Sequence, residues 1–157
     1  MSASADDTYT ESQVILTAVR IIAPFTMTYG LFLALHGADT PGGSFQGGAI
    51  IGVTILMIAF AFGIEPTREW LSNHVVALVV TGGVAVFIGV GLATMALGGA
   101  FLEYRLFEDV LGIPDGTKWG MEAIEVGGIA AIVAGVVIGL FFATADQYLP
   151  EHGGEEQ

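Results

Sequence analysis

Four apolar runs, each long enough to cross a bilayer as a helix, are what most restrict the fold of this chain. They extend over about residues 14–36, 46–64, 74–99 and 120–145. A helix of ~20 residues spans about 30 Å of hydrocarbon. Polar residues are confined to short connections and to the two ends, the distribution expected when lipid is the solvent. Of the 157 residues, 54% are hydrophobic and 13% charged, which is too little polar surface for a water-soluble domain of this length. The expected fold is therefore all-α: one domain of four transmembrane helices over 14–145, between an acidic N-terminal tail (1–13) and an acidic C-terminal tail (146–157). No repeat or heptad pattern divides it further.

Charge narrows the partners. Four Lys and Arg stand against sixteen Asp and Glu, a formal charge of −12. Phosphate binding needs basic side chains, so nucleic acid is excluded as a partner; the lipid bilayer and other membrane proteins are left. The absence of cysteine excludes disulfides and thiolate metal sites. Residues 1–13 carry Asp6, Asp7 and Glu11 with no cation, so they lack the positive start of a signal peptide.

The densest pattern lies between the first two runs, His36-Gly37-Ala38-Asp39-Thr40-Pro41-Gly42-Gly43-Ser44-Phe45-Gln46-Gly47-Gly48. Gly37 follows the first run directly, where a residue able to take positive φ closes a helix. Thr40 is held extended by the following proline, and Pro41-Gly42 is the pair a type II turn requires. With Gly43, these residues read as a tight Gly/Pro-rich hairpin, and Phe45 is expected to wedge it against neighbouring helices. Gly47-Gly48 opens the second run without side-chain bulk, so another backbone can come close. In the first run, Pro24 removes one hydrogen bond and crowds the carbonyl of Arg20, with Thr26 and Thr28 at hand for freed backbone groups. Gly48-x-x-x-Gly52, Gly135-x-x-x-Gly139 and the glycines of the third run suit close helix packing in lipid. The connection from Ala100 to Trp119 mixes charged and aromatic residues and reads as a partly helical segment on the membrane surface.

The order P-G-G-S-F-Q-G-G, led by H-G and followed by a long apolar helix, resembles the P-G-G-G-F-x-G-G signature of the MnhB/MrpB-type subunit of Mrp (Mnh-type) multisubunit cation/proton antiporters. The flanks agree: Arg20 lies in the helix before the loop and Glu125-Val126-Gly127 early in the last helix. The resemblance covers about Val14 to Ala145, and Ser44 stands where the family usually has a third glycine. It implies an accessory subunit of the cell membrane, not an enzyme and without cofactors. The resemblance further implies that such a subunit works inside a large hetero-oligomer driven by the proton gradient, with Glu125 the residue expected to exchange H⁺ or Na⁺. Subunits of membrane-bound hydrogenases and related ion-pumping complexes carry similar modules, and that assignment stands as the alternative. A stand-alone tetraspan scaffold or small channel is the reading from a different class.

Ionisable residues inside membrane helices are costly and are functional candidates by default. Glu122 and Glu125 are spaced i, i+3 at the start of the fourth run, on one face of a regular helix. Two carboxylates that close do not both ionise easily, which suits transient binding of a proton or of Na⁺ at Glu125. The competing reading leaves Glu122 in the headgroup region, favoured by the helix N-terminus. No resident metal site is expected. Arg20 enters from the opposite side and is not paired with Glu125; it either snorkels to its own surface or meets an acid on another subunit. His36 is either a proton relay or a cap on the first helix. With so few ionisable groups in its spans, the chain is not expected to transport ions alone.

Overall fold

The computed structural model of the chain describes residues 12–37 and 43–148, with side chains as far as residue 145. All regular structure in them is helical: α1 (Gln13–Leu35), α2 (Gly43–Phe62), α3 (Ile64–Trp70), α4 (Asn73–Ala96), α5 (Arg105–Asp109), α6 (Gly116–Glu122), a π-helical segment (Ala123–Ala130) and α7 (Ala131–Tyr148). Four helices are long and apolar enough to cross a membrane: α1, α2, α4 and the composite helix Gly116–Ala145. The expected all-α membrane fold with four spans is the one found.

The four spans stand in a row, not in a closed bundle. α1 packs on α2, α2 on the composite helix, and the composite helix on α4, with α1 also touching the π-helical segment. The inner spans have 39% and 33% of their most apolar window buried, the outer ones, α1 and α4, 17% and 11%. The row is cemented by apolar clusters at the end that carries the α2–α3 junction. Leu16, Val19 and Ala23 of α1 meet Ala61 of α2. Ile55, Val76, Ile138 and Phe142 join α2, α4 and α7.

Several boundaries differ from the sequence reading, each for a local reason. The second span begins at Gly43, so Gly43, Ser44 and Phe45 belong to the helix and not to the hairpin. Ala38, Asp39, Thr40, Pro41 and Gly42, with the expected type II turn, lie outside the described residues. Phe45, expected to wedge the hairpin against its neighbours, is 60% exposed on the first turn of α2. Gly63, at φ 104°, ends α2 in a conformation open to glycine. The short connection beyond it is itself the helix α3. α1 runs unbroken through Pro24, but Thr26 and Thr28 bond the carbonyls of Ala23 and Pro24 (3.1 and 2.7 Å), not the carbonyl of Arg20. The Thr26 hydroxyl also meets that of Thr54 on α2 at 3.0 Å, a polar tie between the first two spans.

The connection after α4 is built around Thr94, which is wholly buried. Its hydroxyl reaches the Ala100 carbonyl (2.9 Å) and accepts the N–H of Leu102 (3.0 Å), a residue held at φ 64°. Glu108 of α5 accepts the N–H of Thr117 at 2.9 Å and so satisfies an orphan donor in the first turn of α6. That backbone bond, then the Thr117 side chain and, more weakly, Arg105, hold the Glu108 carboxyl below the usual carboxylate range.

Candidate functional site: a carboxylate where three spans converge

Glycine decides how closely α2 meets its two neighbours near its start. A Cβ on Gly47 would stand 2.5 Å from the Ala34 nitrogen and 2.7 Å from the Gly30 oxygen of α1. A Cβ on Gly48 would stand 2.5 Å from the Ala130 oxygen of the π-helical segment. The two adjacent glycines thus serve opposite sides of α2. They clamp the start of that helix between the first and last spans, backbone to backbone. One turn further on, Gly52 gives the same room to Val137.

This clamp brings the end of α1, the start of α2 and the π-helical segment to one point. The atoms nearest to the side-chain position of Gly37 are the Ser44 hydroxyl oxygen and the Glu125 carboxylate oxygen Oε2, both closer than any side chain would tolerate. Gly37 was expected to close α1 through positive φ, yet its φ is not in that region. His36 ends the helix at φ −112°, and position 37 demands glycine for space instead. Ser44 is 4% exposed, and its hydroxyl has no hydrogen-bond partner among the described residues. Glu125 is half-buried along its length, and its Oε2 is shut off from solvent.

Tyr104, in the α4–α6 connection, stands near enough to Glu125 to feel its charge. Its ring lies on Gly120, where a Cβ would stand 2.7 Å from Cδ1. Burial first, and the negative charge of Glu125 second, push its phenol above the usual tyrosine range. Sequence reasoning missed both Ser44 and Tyr104. The only signal for either was a small hydroxyl residue inside a glycine run and a phenol in an interfacial connection.

The remaining sequence candidates lie apart from this point. Glu122 turns to Lys118, with 3.8 Å between oxygen and nitrogen, at a partly exposed position one turn before Glu125. An exposed i, i+4 pair of this kind is worth only ~0.3–0.5 kcal/mol. The π-helical segment begins at Ala123, between the two acids, and its i→i+5 bonding ends the regular spacing on which a shared face depends. His36 is exposed; its Nδ1 lies 3.0 Å from the Phe32 carbonyl, to which the Nδ1–H tautomer donates, and its ring stacks on Phe32 at 4.3 Å. That is the geometry of a cap on α1. Arg20 is exposed on α1 with its guanidinium carbon 5.4 Å from the centre of the Phe62 ring. Ser44 and Phe62 mark the two ends of α2, so Arg20 and Glu125 are separated by roughly 27 Å along the membrane normal. Among the described residues, no group of three or more His, Cys, Asp or Glu side chains gathers to hold a metal ion.

A family described as a domain related to the MnhB subunit of Na⁺/H⁺ antiporters matches residues 14–139, the site and most of each of the four spans included. The chain belongs to the MnhB family. It is similar to the B-type subunit of a Na⁺/H⁺ antiporter from Bacillus subtilis, at 23% identity over 129 residues, or 82% of this chain and 90% of that protein. It also resembles a putative antiporter subunit mnhB2 of Staphylococcus saprophyticus, at 29% identity over 93 residues, covering 59% of this chain and 65% of the relative. An uncharacterized protein of Methanocaldococcus jannaschii shares 33% identity over 73 residues, 46% of this chain and 28% of its own length. As a member of this family with four spans, the chain is a multi-pass protein of the cell membrane.

Proposed function

We propose that this MnhB-family chain is an accessory subunit of a multisubunit Na⁺/H⁺ antiporter, and that Glu125 is its point on the cation and proton path. Glu125 carries this reading. It is the acid whose carboxylate oxygen is enclosed where three spans converge, whereas Glu122, Arg20 and Lys118 stand at partly or fully exposed positions. A carboxylate enclosed at a membrane helix junction is expensive unless it binds a proton or a cation. One group can hold either in turn: the carboxyl releases H⁺ as Na⁺ arrives at the carboxylate, and the reverse step returns the proton. Na⁺ is cargo here, not a resident metal.

The reading also requires companions. Transport across a bilayer needs a chain of such groups, and one buried acid supplies a single station. The open row exposes apolar side chains on both outer helices, among them Ile21, Phe25 and Phe32 of α1 and Leu78, Ile88 and Leu92 of α4. These surfaces suit lipid and neighbouring subunits alike. Isolation in mild detergent from its native membrane, followed by mass identification, is expected to recover the chain with other small membrane subunits and a large antiporter subunit. Recovery with an iron–sulfur or nickel subunit would move it to a hydrogenase-type complex. Recovery alone, with ion flux from the isolated chain in liposomes, would overturn the proposal.

A further inference from the structure

We infer that the Ser44 hydroxyl is a neutral ligand for the sodium ion exchanged at Glu125, and so sets the sodium affinity of this subunit. The inference rests on the proposed role of Glu125 and adds a residue to it. Ser44 is 4% exposed at the start of a 20-residue helix, and its oxygen has no hydrogen-bond partner among the described residues. A buried hydroxyl left in that condition is uncommon and calls for an explanation. Ser44 is the second residue of α2, already inside the helix, and its oxygen makes no bond back to the described backbone. Instead it lies at the side-chain position of Gly37, and so does the Glu125 oxygen Oε2. Any residue other than glycine at position 37 would fill that space.

The chemistry of the two oxygens selects the occupant. A carboxylate and a hydroxyl are hard donors, suited to hard cations and not to soft metals. A divalent ion of that class takes six or more oxygens, commonly with several carboxylates. Here one carboxylate and one hydroxyl meet, and among the described residues no group of three or more His, Cys, Asp or Glu side chains gathers. One negative charge and a neutral oxygen match a monovalent ion that keeps part of its water. The hydroxyl replaces some of the hydration the ion surrenders on entering the row, as carbonyl oxygens do in ion filters.

The test measures Na⁺-dependent proton exchange by the assembled complex in everted vesicles across a range of Na⁺ concentrations. Ser44→Ala is expected to raise the half-saturating Na⁺ concentration roughly tenfold, the worth of one oxygen contact to a charged group. Maximal rate and complex level should stay at the wild-type values. Ser44→Gly, which removes the Cβ as well, should do the same and serves if the alanine variant assembles poorly. Unchanged half-saturation in either assembled variant overturns the inference. A changed thermal midpoint or pH optimum at unchanged half-saturation also overturns it, because the hydroxyl then holds only a structural water or the carboxyl proton. Failure of both variants to assemble assigns Ser44 to the fold and overturns it too. Glu125→Gln, run alongside, separates the two levels. Loss of exchange there with a silent Ser44→Ala removes only Ser44, whereas full exchange in Glu125→Gln removes the path assignment itself.

Discussion

A methyl group at position 37 would land on the Ser44 hydroxyl and the Glu125 carboxylate at once. Gly37→Ala is therefore expected to force the two apart. The cost is ~1–3 kcal/mol, the range for overfilling a packed site, and sodium-dependent exchange should fall with it. The purified complex should melt earlier and exchange more slowly, and a wild-type melting curve would show that the site is not closed as described. Of this site, Glu125 was legible in the sequence, because an acid within an apolar run has few inert explanations. Gly37 was singled out for the wrong property: glycine after a helix suggests positive φ, and a close approach from a residue 88 positions later in the sequence leaves no local trace. Ser44 escaped for a related reason, since a serine beside glycines at a helix start is indistinguishable from an ordinary cap.

At the scale of helices, the consecutive glycines 47 and 48 hold α2 to the first span and to the last, by opposite faces of one helix. Gly47→Val and Gly48→Val should each disrupt the subunit, through contact with the backbone of α1 and of the π-helical segment respectively. Gly82→Val and Gly89→Val on α4, where a Cβ meets nothing within 4 Å, should leave the fold intact. Subunit abundance in the membrane, compared across the four variants, checks the contrast; equal loss in both pairs would mean that the packing is not as described. Span number and approximate position were readable, because length and hydropathy alone decide what can cross a bilayer. The true start of α2 was not, since Gly43 and Ser44 are poor helix formers carried into the helix by packing. The π-helical segment announced itself only through Gly127-Gly128, a pair equally at home in a regular helix.

Among the described residues, the molecule is a row of four spans with the Glu125 carboxylate enclosed near the start of α2. Its outer helices are mostly uncovered, and Phe45 stands 60% exposed beside the site. The alternation of apolar runs and short connections made a membrane fold evident. It could not reveal a row, because the neighbour order α1, α2, composite helix, α4 depends on which glycines meet which backbones. The open row and the single acid agree with one station on a path completed by other subunits. The most direct measurement is Na⁺/H⁺ exchange in vesicles that carry the complex with Glu125→Gln, with assembly confirmed by co-purification. Sodium-dependent exchange should fall at least ~100-fold while the complex persists, as when a residue essential to the transfer is removed. Exchange at the wild-type rate in that assembled variant would contradict a role for Glu125 in the ion path.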